Sequence, residues 1–204
     1  MYRHTTRRSA PLRQNTWVHS IATIDFRRDV SGGTLDRLHA GDSVELTGRV
    51  VTLRDASAAR LAAAIEKGEA PPVPLAGRIL YAVGPSPAKP GQIIGSAGPT
   101  TTARMARFLP TLFGAGVAAV IGKGELHGED AAAFTRHRAV YFAAIGGLGA
   151  LLAKRITAAS VVAYEDLGPE ALYALELEAF PAVVIIDRHG RNYHEEARAR
   201  WRTS

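Results

Sequence analysis

Residues 95–105 read GSAGPTTTARM, and what this stretch becomes decides how the chain around it is organised. A Gly/Pro turn passes into three threonines, and Arg104 follows Thr100 at helical spacing. The pattern predicts a helix over residues 100–113. With Thr100 at its start, the hydroxyl would cap first-turn N–H groups, and the helix end would favour an anion. Arg104, four residues on, would share the face of Thr100. Hydroxyls, amides and a guanidinium on one face make a seat for a carboxylate or a phosphate. An ordinary N-capped helix with a solvated arginine accounts for the same residues equally well.

Upstream, a Ser-Gly-Gly stretch at 31–33 precedes a turn of helix, and residues 43–51 alternate as a strand does. Residues 56–67 are rich in alanine and leucine and stop at Gly68, which predicts a helix. Pro-Pro-Val-Pro at 71–74 is an extended connector, and 79–83 is an apolar strand ended by Gly-Pro-Ser-Pro. The interval to Pro99 is a shaped loop. Downstream, 117–121 reads as a buried strand running into Gly122-Lys123-Gly124. Strands follow at 140–145, 160–164 and 183–187, with helices at 146–156 and 169–173. Strands separated by helices give an α/β domain in layers.

The 204 residues are 47% hydrophobic and 22% charged, enough for one real core. There is no cysteine, which removes disulfides, a thiol nucleophile and thiolate metal ligands from this chain. That absence and the lack of a signal-like or bilayer-length apolar run set the expectation of a soluble, cytoplasmic protein with no membrane contact. The formal charge is +6, carried almost wholly by arginine, since lysine occurs only at 67, 89, 123 and 154. Much of the excess sits at the ends, in Arg3, Arg7, Arg8 and Arg13 and in Arg198, Arg200 and Arg202. A basic nucleic-acid-binding protein is disfavoured, because the basic residues are terminal and lack interleaved aromatics. Residues 1–20 are expected to be a loose basic arm, 21–195 the domain and 196–204 a basic C-terminal tail.

Polar clusters follow several strands: Arg54-Asp55, the 95–104 segment, Lys123 between glycines, and Glu165-Asp166. Arg54, Arg104 and Lys123 together could clamp a dicarboxylate, the guanidinium as a fork and the lysine as a point charge. Three unrelated surface cations would satisfy the spacing as well. Gly122-Lys123-Gly124 lacks the rest of a P-loop, and Gly146-Gly147-Leu148-Gly149 lacks a dinucleotide fingerprint, so close packing explains it better. The seven histidines show no metal-binding spacing, and no metal site is expected. Glu165 and Asp166 suit acid–base work, but capping the following turn is the commoner use.

The blocks GDSVELTGRVVTLRDA (41–56), GRILYAVGPSP (77–87), GSAGPTTTARM (95–105) and AAVIGKGEL (118–126) carry a family resemblance. It continues through YFAAIGGLGALLAKRI (141–156) and VVAYEDLGPEALYALELEAFPAVVIIDRHG (161–190). In this order they resemble the β subunit, or C-terminal domain, of class I iron–sulfur hydro-lyases, the fumarate hydratase and tartrate dehydratase family. The GG-x-x-A and EDLG-x-EA blocks look closer to the fumarate hydratases. The resemblance implies a layered β/β/α swivelling domain that docks on a partner α subunit, as an α2β2 heterotetramer. A [4Fe–4S] cluster would sit on that partner, held by three cysteines, and not on this chain.

The activity implied is reversible hydration of fumarate to malate. Dehydration of tartrate or another hydroxy-diacid is the alternative within the family, and a diverged non-catalytic assembly module the alternative outside it. Carried over by motif, Arg54, Arg104 and Lys123 bind substrate carboxylate. Thr100 and Thr101 take the paired-threonine positions, with Thr100 as proton-abstracting base. Two positions depart from the family's usual pattern: Ala58 stands where a histidine is usual, and Ala106 where an acidic residue follows the Arg-Met pair.

Overall fold

The structure, a computed structural model, describes residues 21–26 and 33–202. Its strands are β1 (Ala22–Asp25), β2 (Ser43–Leu53), β3 (Ile79–Ala82), β4 (Ala119–Gly122), β5 (Val140–Ala143), β6 (Ile156–Ala163) and β7 (Leu172–Ile186). The α-helices are α1 (Asp55–Glu66), α2 (Leu109–Gly114), α3 (Gly128–Arg136), α4 (Gly149–Ala153) and α5 (Tyr193–Trp201). Strands β1 to β5 run parallel in sequence order, and β7 returns antiparallel beside β5 and beside β2. The pairings β2–β3–β4–β5–β7–β2 therefore close a ring, with β1 attached to β2 and β6 to β7. The chain is one small α/β domain with a mixed sheet.

Strands β3, β4 and β5 are short and apolar throughout (ILYA, AVIG, VYFA) because both faces are covered. Successive side chains point to opposite faces. Ile79, Tyr81, Ile121, Val140 and Phe142 join Leu46, Phe180 and Val184 in a cluster drawn from all five ring strands. Leu80, Ala82, Val120 and Tyr141 point the other way and pack with Leu61 of α1, Leu112 of α2 and Phe134 of α3. Ala58 and Ala106 are fully buried in this second cluster, so both family departures fill the helix-covered core.

Strand β7 keeps its apolar side inward through a change of parity. Leu175 and Leu177 are buried, then Phe180, Ala182 and Val184. Between them Ala179 takes φ 46° and the register with β2 slips, a β-bulge. The bulge is sutured by Thr47, whose hydroxyl oxygen accepts from the Ala179 N–H at 3.0 Å.

Several expectations need correction. No single helix spans 100–113: short 3₁₀ turns at Thr102–Arg104 and Ala106–Phe108 lead into α2, which starts beside Pro110. The helix expected at 146–156 is only α4, with Ile156 already in β6. The helix expected at 169–173 is the end of a 3₁₀ segment, Glu165–Glu170, and Leu172 opens β7. Helices α3 and α5 and strand β1 were not foreseen. The arm expected over 1–20 lies outside the described residues, and part of the expected tail at 196–204 is helical as far as Trp201. Among the described residues no helix is long and apolar enough to cross a membrane.

Candidate substrate-binding site

The carboxyl ends of parallel strands are where α/β sheets place ligands, and the expected site residues gather there. Strand β2 ends at Leu53 and hands over to Arg54, which caps α1 in an extended conformation while the Ser57 hydroxyl accepts from its N–H at 3.0 Å. Strand β3 runs out towards Gly84, and β4 ends at Gly122 just before Lys123.

Residues 100–102 fit between the last two of these strand ends. The Thr100 N–H donates to Ala82 O at 2.7 Å, the Lys123 N–H donates to Thr100 O at 3.2 Å, and the Thr102 N–H donates to Lys123 O at 3.0 Å. Thr101 and Lys123 are bridged as parallel strand partners. Thr100 is thus extended backbone, not a helix cap, and it does not share a helix face with Arg104. The three threonines separate in role: Thr100 is half-buried, Thr101 exposed and Thr102 fully buried.

Thr102 locks this segment from beneath. Its hydroxyl lies 3.1 Å from the Tyr141 hydroxyl, which donates to Gly124 O at 2.9 Å. A Cβ on Gly122 would collide with the Thr102 hydroxyl, so only glycine fits there. Burial, slightly offset by the Thr102 hydroxyl, pushes the Tyr141 phenol up to about 12 from 10.0. The native chain therefore keeps a proton that the unfolded chain releases above pH 10, so stability falls as pH rises from 10 towards 12. The slope from Tyr141 is about 1.4 kcal/mol per unit. Alkaline unfolding followed by tyrosinate absorbance should show this fall; in Tyr141→Phe it should be shallower, and an equal slope would rule the assignment out.

Arg54 and Arg104 meet through a carboxylate. Arg104 Nε donates to Asp55 Oδ1 at 3.0 Å, and Arg54 Nε lies 3.5 Å from Asp55 Oδ2. Arg54 Nη2 faces Glu170 Oε1 at 3.3 Å, while Glu170 Oε2 accepts from the Ala56 N–H at 2.8 Å. Arg54 Nη1 rests against Gly84, where a Cβ would come within 2.7 Å of it. The order Glu170–Arg54–Asp55–Arg104 alternates charge along the mouth of the site.

The segment carrying Glu170 is pinned to α1 from outside. Arg60 holds Asp166 as a fork at 2.8 and 2.7 Å and stacks 4.9 Å from the centre of the Tyr164 ring. The hydrogen bonds from Arg60 hold the Asp166 carboxyl below its ordinary range. Asp166 is thereby committed to Arg60, which positions the loop.

Lys123 opens onto a cleft of about 490 Å³ lined also by Gly84, Gly98, Gly147, Gly149 and Pro169. Gly149 packs on the 95–98 loop, its carbonyl accepting from the Ala97 N–H at 3.1 Å, which is the close approach expected of that glycine run. Arg54 and Arg104 are thus joined through Asp55, and Lys123 is joined to Thr100 and Thr101 through the backbone. The cleft connects the two groups, because Gly84 touches Arg54 and shares the cleft with Lys123. Sequence reasoning named Asp55 only within the Arg54-Asp55 cluster, without a role, and missed Glu170 as a site member. Asp55 is adjacent to Arg54 in the chain, whereas nothing local links Glu170 to it. Among the described residues no three His, Asp or Glu side chains converge to hold a metal ion.

Residues 2–197 match the family model described as Fumarase C-terminus. The chain is 32% identical over 155 residues to the anaerobic class I fumarate hydratase of Escherichia coli strain K12, covering 75% of this chain and 28% of that protein. It is 30% identical over 180 residues to fumarate hydratase 2 of Leishmania major, covering 86% of this chain and 32% of the relative. It is 34% identical over 169 residues to the putative L(+)-tartrate dehydratase subunit beta of Methanocaldococcus jannaschii, covering 78% of this chain and 85% of that one. The chain therefore spans under a third of these fumarate hydratases but most of the tartrate dehydratase subunit.

Proposed function

We propose, since this chain belongs to the Fumarase C-terminus family, that it is the β subunit of a hydro-lyase acting on a small dicarboxylate, with fumarate hydration to malate as the first reading. The observation that carries the proposal is the pair Arg54 and Arg104 on one carboxylate, at the same strand edge as Lys123. Two guanidinium forks and an ammonium suit a substrate with a carboxylate at each end. The relative named a subunit beta, matched over 85% of its length, supports a role beside another chain.

A [4Fe–4S] cluster would supply Lewis acidity towards the substrate hydroxyl. This chain has no cysteine to hold one, so the reading places the cluster on a partner α subunit, in an α2β2 assembly in the cytoplasm. The work of this chain is then to bind and orient the diacid and to move one proton. Arg54, Arg104 and Lys123 take the carboxylates, and Thr101 lines their approach. Thr100 takes the proton from the carbon beside the carboxylate in the dehydration direction and returns it to that carbon in hydration. A threonine hydroxyl is a weak base at its free pKa. The Lys123 backbone is bonded to that of Thr100, and in this reading its ammonium supplies the positive charge that favours the deprotonated hydroxyl.

The test is anaerobic purification with the cysteine-bearing α gene product, followed by assays of fumarate hydration and tartrate dehydration. Activity that requires both chains is the expected result, and a chain that forms no complex overturns the proposal. Tartrate as preferred substrate would select the second reading, which the near full-length match to the tartrate dehydratase subunit favours. Within an active complex, Thr100→Val should lower kcat by about 10²–10⁴ and leave KM within a few-fold. A wild-type kcat would remove Thr100 from the proton transfer.

A further inference from the structure

We propose that Asp55 is the positioning residue of the site: it holds Arg54 and Arg104 by their Nε edges, so that Nη1 of Arg54 and both Nη groups of Arg104 are left for one substrate. This rests on the hydro-lyase reading and goes beyond it, because it assigns a role to a carboxylate within an anion-binding site.

A carboxylate among cations that bind a dicarboxylate competes with the substrate for them. Its contacts resolve the conflict. The Arg104 side chain has Asp55 as its only hydrogen-bonded or ion-paired partner among the described residues, and the hydrogen bond uses Nε alone. Both Nη groups of Arg104 stay available. Arg54 presents Nε to the other oxygen of Asp55 and Nη2 to Glu170, while Nη1 lies over Gly84 at the cleft. A guanidinium offers five donors in a rigid plane, so fixing one edge fixes where the remaining donors aim.

The backbone explains why Asp55 can do this. It is the first residue of α1, directly after Arg54, and its side chain is about one-third exposed. Arg104 reaches it from the 3₁₀ turn that follows the threonines. Two guanidinium groups brought this close repel each other, and a carboxylate between them offsets that repulsion. Asp55 Oδ2 and Arg54 Nε are both buried and have no hydrogen bond among the described residues, so this arm of the bridge is an ion pair only.

The sign of the effect separates positioning from simple charge screening. If Asp55 only weakened the local positive field, Asp55→Asn would tighten dicarboxylate binding. Positioning requires the reverse. The experiment measures kcat and KM for the preferred diacid on the complex with the cluster-bearing partner, for wild type and Asp55→Asn. KM should rise about tenfold or more, as expected for loss of one charge-assisted contact, with kcat changed less. In the full-length chain, the Nε–H nuclear magnetic resonance signal of Arg104 should be slow to exchange in wild type and fast in the variant. An unchanged or lower KM overturns the proposal, and so does a fall in kcat alone, which marks a structural defect. If Asp55→Asn does not fold, Asp55→Glu keeps the charge and displaces it by one methylene. A KM raised about threefold or more is then expected, and a wild-type KM overturns the proposal. A wild-type complex that turns over no diacid overturns the hydro-lyase reading instead, and that outcome is distinct from the others.

Discussion

Replacing Arg104 with alanine is expected to lower kcat/KM of the assembled enzyme by about 10²–10³, with the fold and the partner complex intact. The magnitude is that of losing the proposed charge-assisted hydrogen bonds from this guanidinium to a substrate carboxylate, about 3–4 kcal/mol. The fold should survive because the Arg104 side chain is 56% exposed and its only partner among the described residues, Asp55, keeps Arg54 beside it. Arg104→Lys should recover little, since an ammonium cannot present one edge to Asp55 and a fork to substrate. Steady-state kinetics with a thermal melt of each variant checks this. Wild-type kcat/KM in Arg104→Ala would remove the clamp from the mechanism.

The largest expected effect on stability comes from Gly122→Ala. The added methyl would overlap the Thr102 hydroxyl, which is fully buried and tied to Tyr141. Neither partner can move cheaply, because Gly122 belongs to β4, which is paired on both sides by β3 and β5, and Thr102 is held by the Lys123 carbonyl. A loss of about 3 kcal/mol is expected, and a fall in Tm of roughly 6–12 °C for a chain of this size. Thr102→Ala alone should cost about 1–2 kcal/mol by leaving the Tyr141 hydroxyl one bond short. The double variant should be more stable than Gly122→Ala, because removing the hydroxyl removes the overlap. Strictly additive losses in the double-mutant cycle would show that the two residues do not meet.

Strands β3 and β4 were legible because they are buried on both faces and read as unbroken apolar runs, and β2 because its residues alternate. The segment between them was not. Residues 100–113 carry good helix formers, yet Thr100–Thr102 exchange backbone hydrogen bonds with the ends of β3 and β4, and those partners are invisible to a periodicity. Pro110 was the local cue that the helix starts later. Strand β7 was read only at its end, because the parity of its apolar residues changes at Ala179 and breaks the alternation. Among the site residues, Arg54, Arg104, Lys123, Thr100 and Thr101 came from the motifs. Asp55 was named beside Arg54 as a polar cluster but given no role, because its second partner, Arg104, lies 49 residues away in the chain. Glu170 reaches the site only through the folding of its loop onto α1 by the Arg60–Asp166 fork.

The closure of the strand ring has a consequence for how the protein is made. Ser43 pairs with Val183 and Val51 with Ala174, so the second strand of the chain is completed by nearly the last. While the chain is being synthesised, β2 has its parallel neighbours early but an open antiparallel edge until about residue 186 has left the ribosome. That long, apolar, unsatisfied edge is an aggregation hazard for as long as it waits. Folding is therefore gated by the C-terminus, and chains truncated before β7 should be recovered as insoluble or chaperone-bound material, not as a smaller domain.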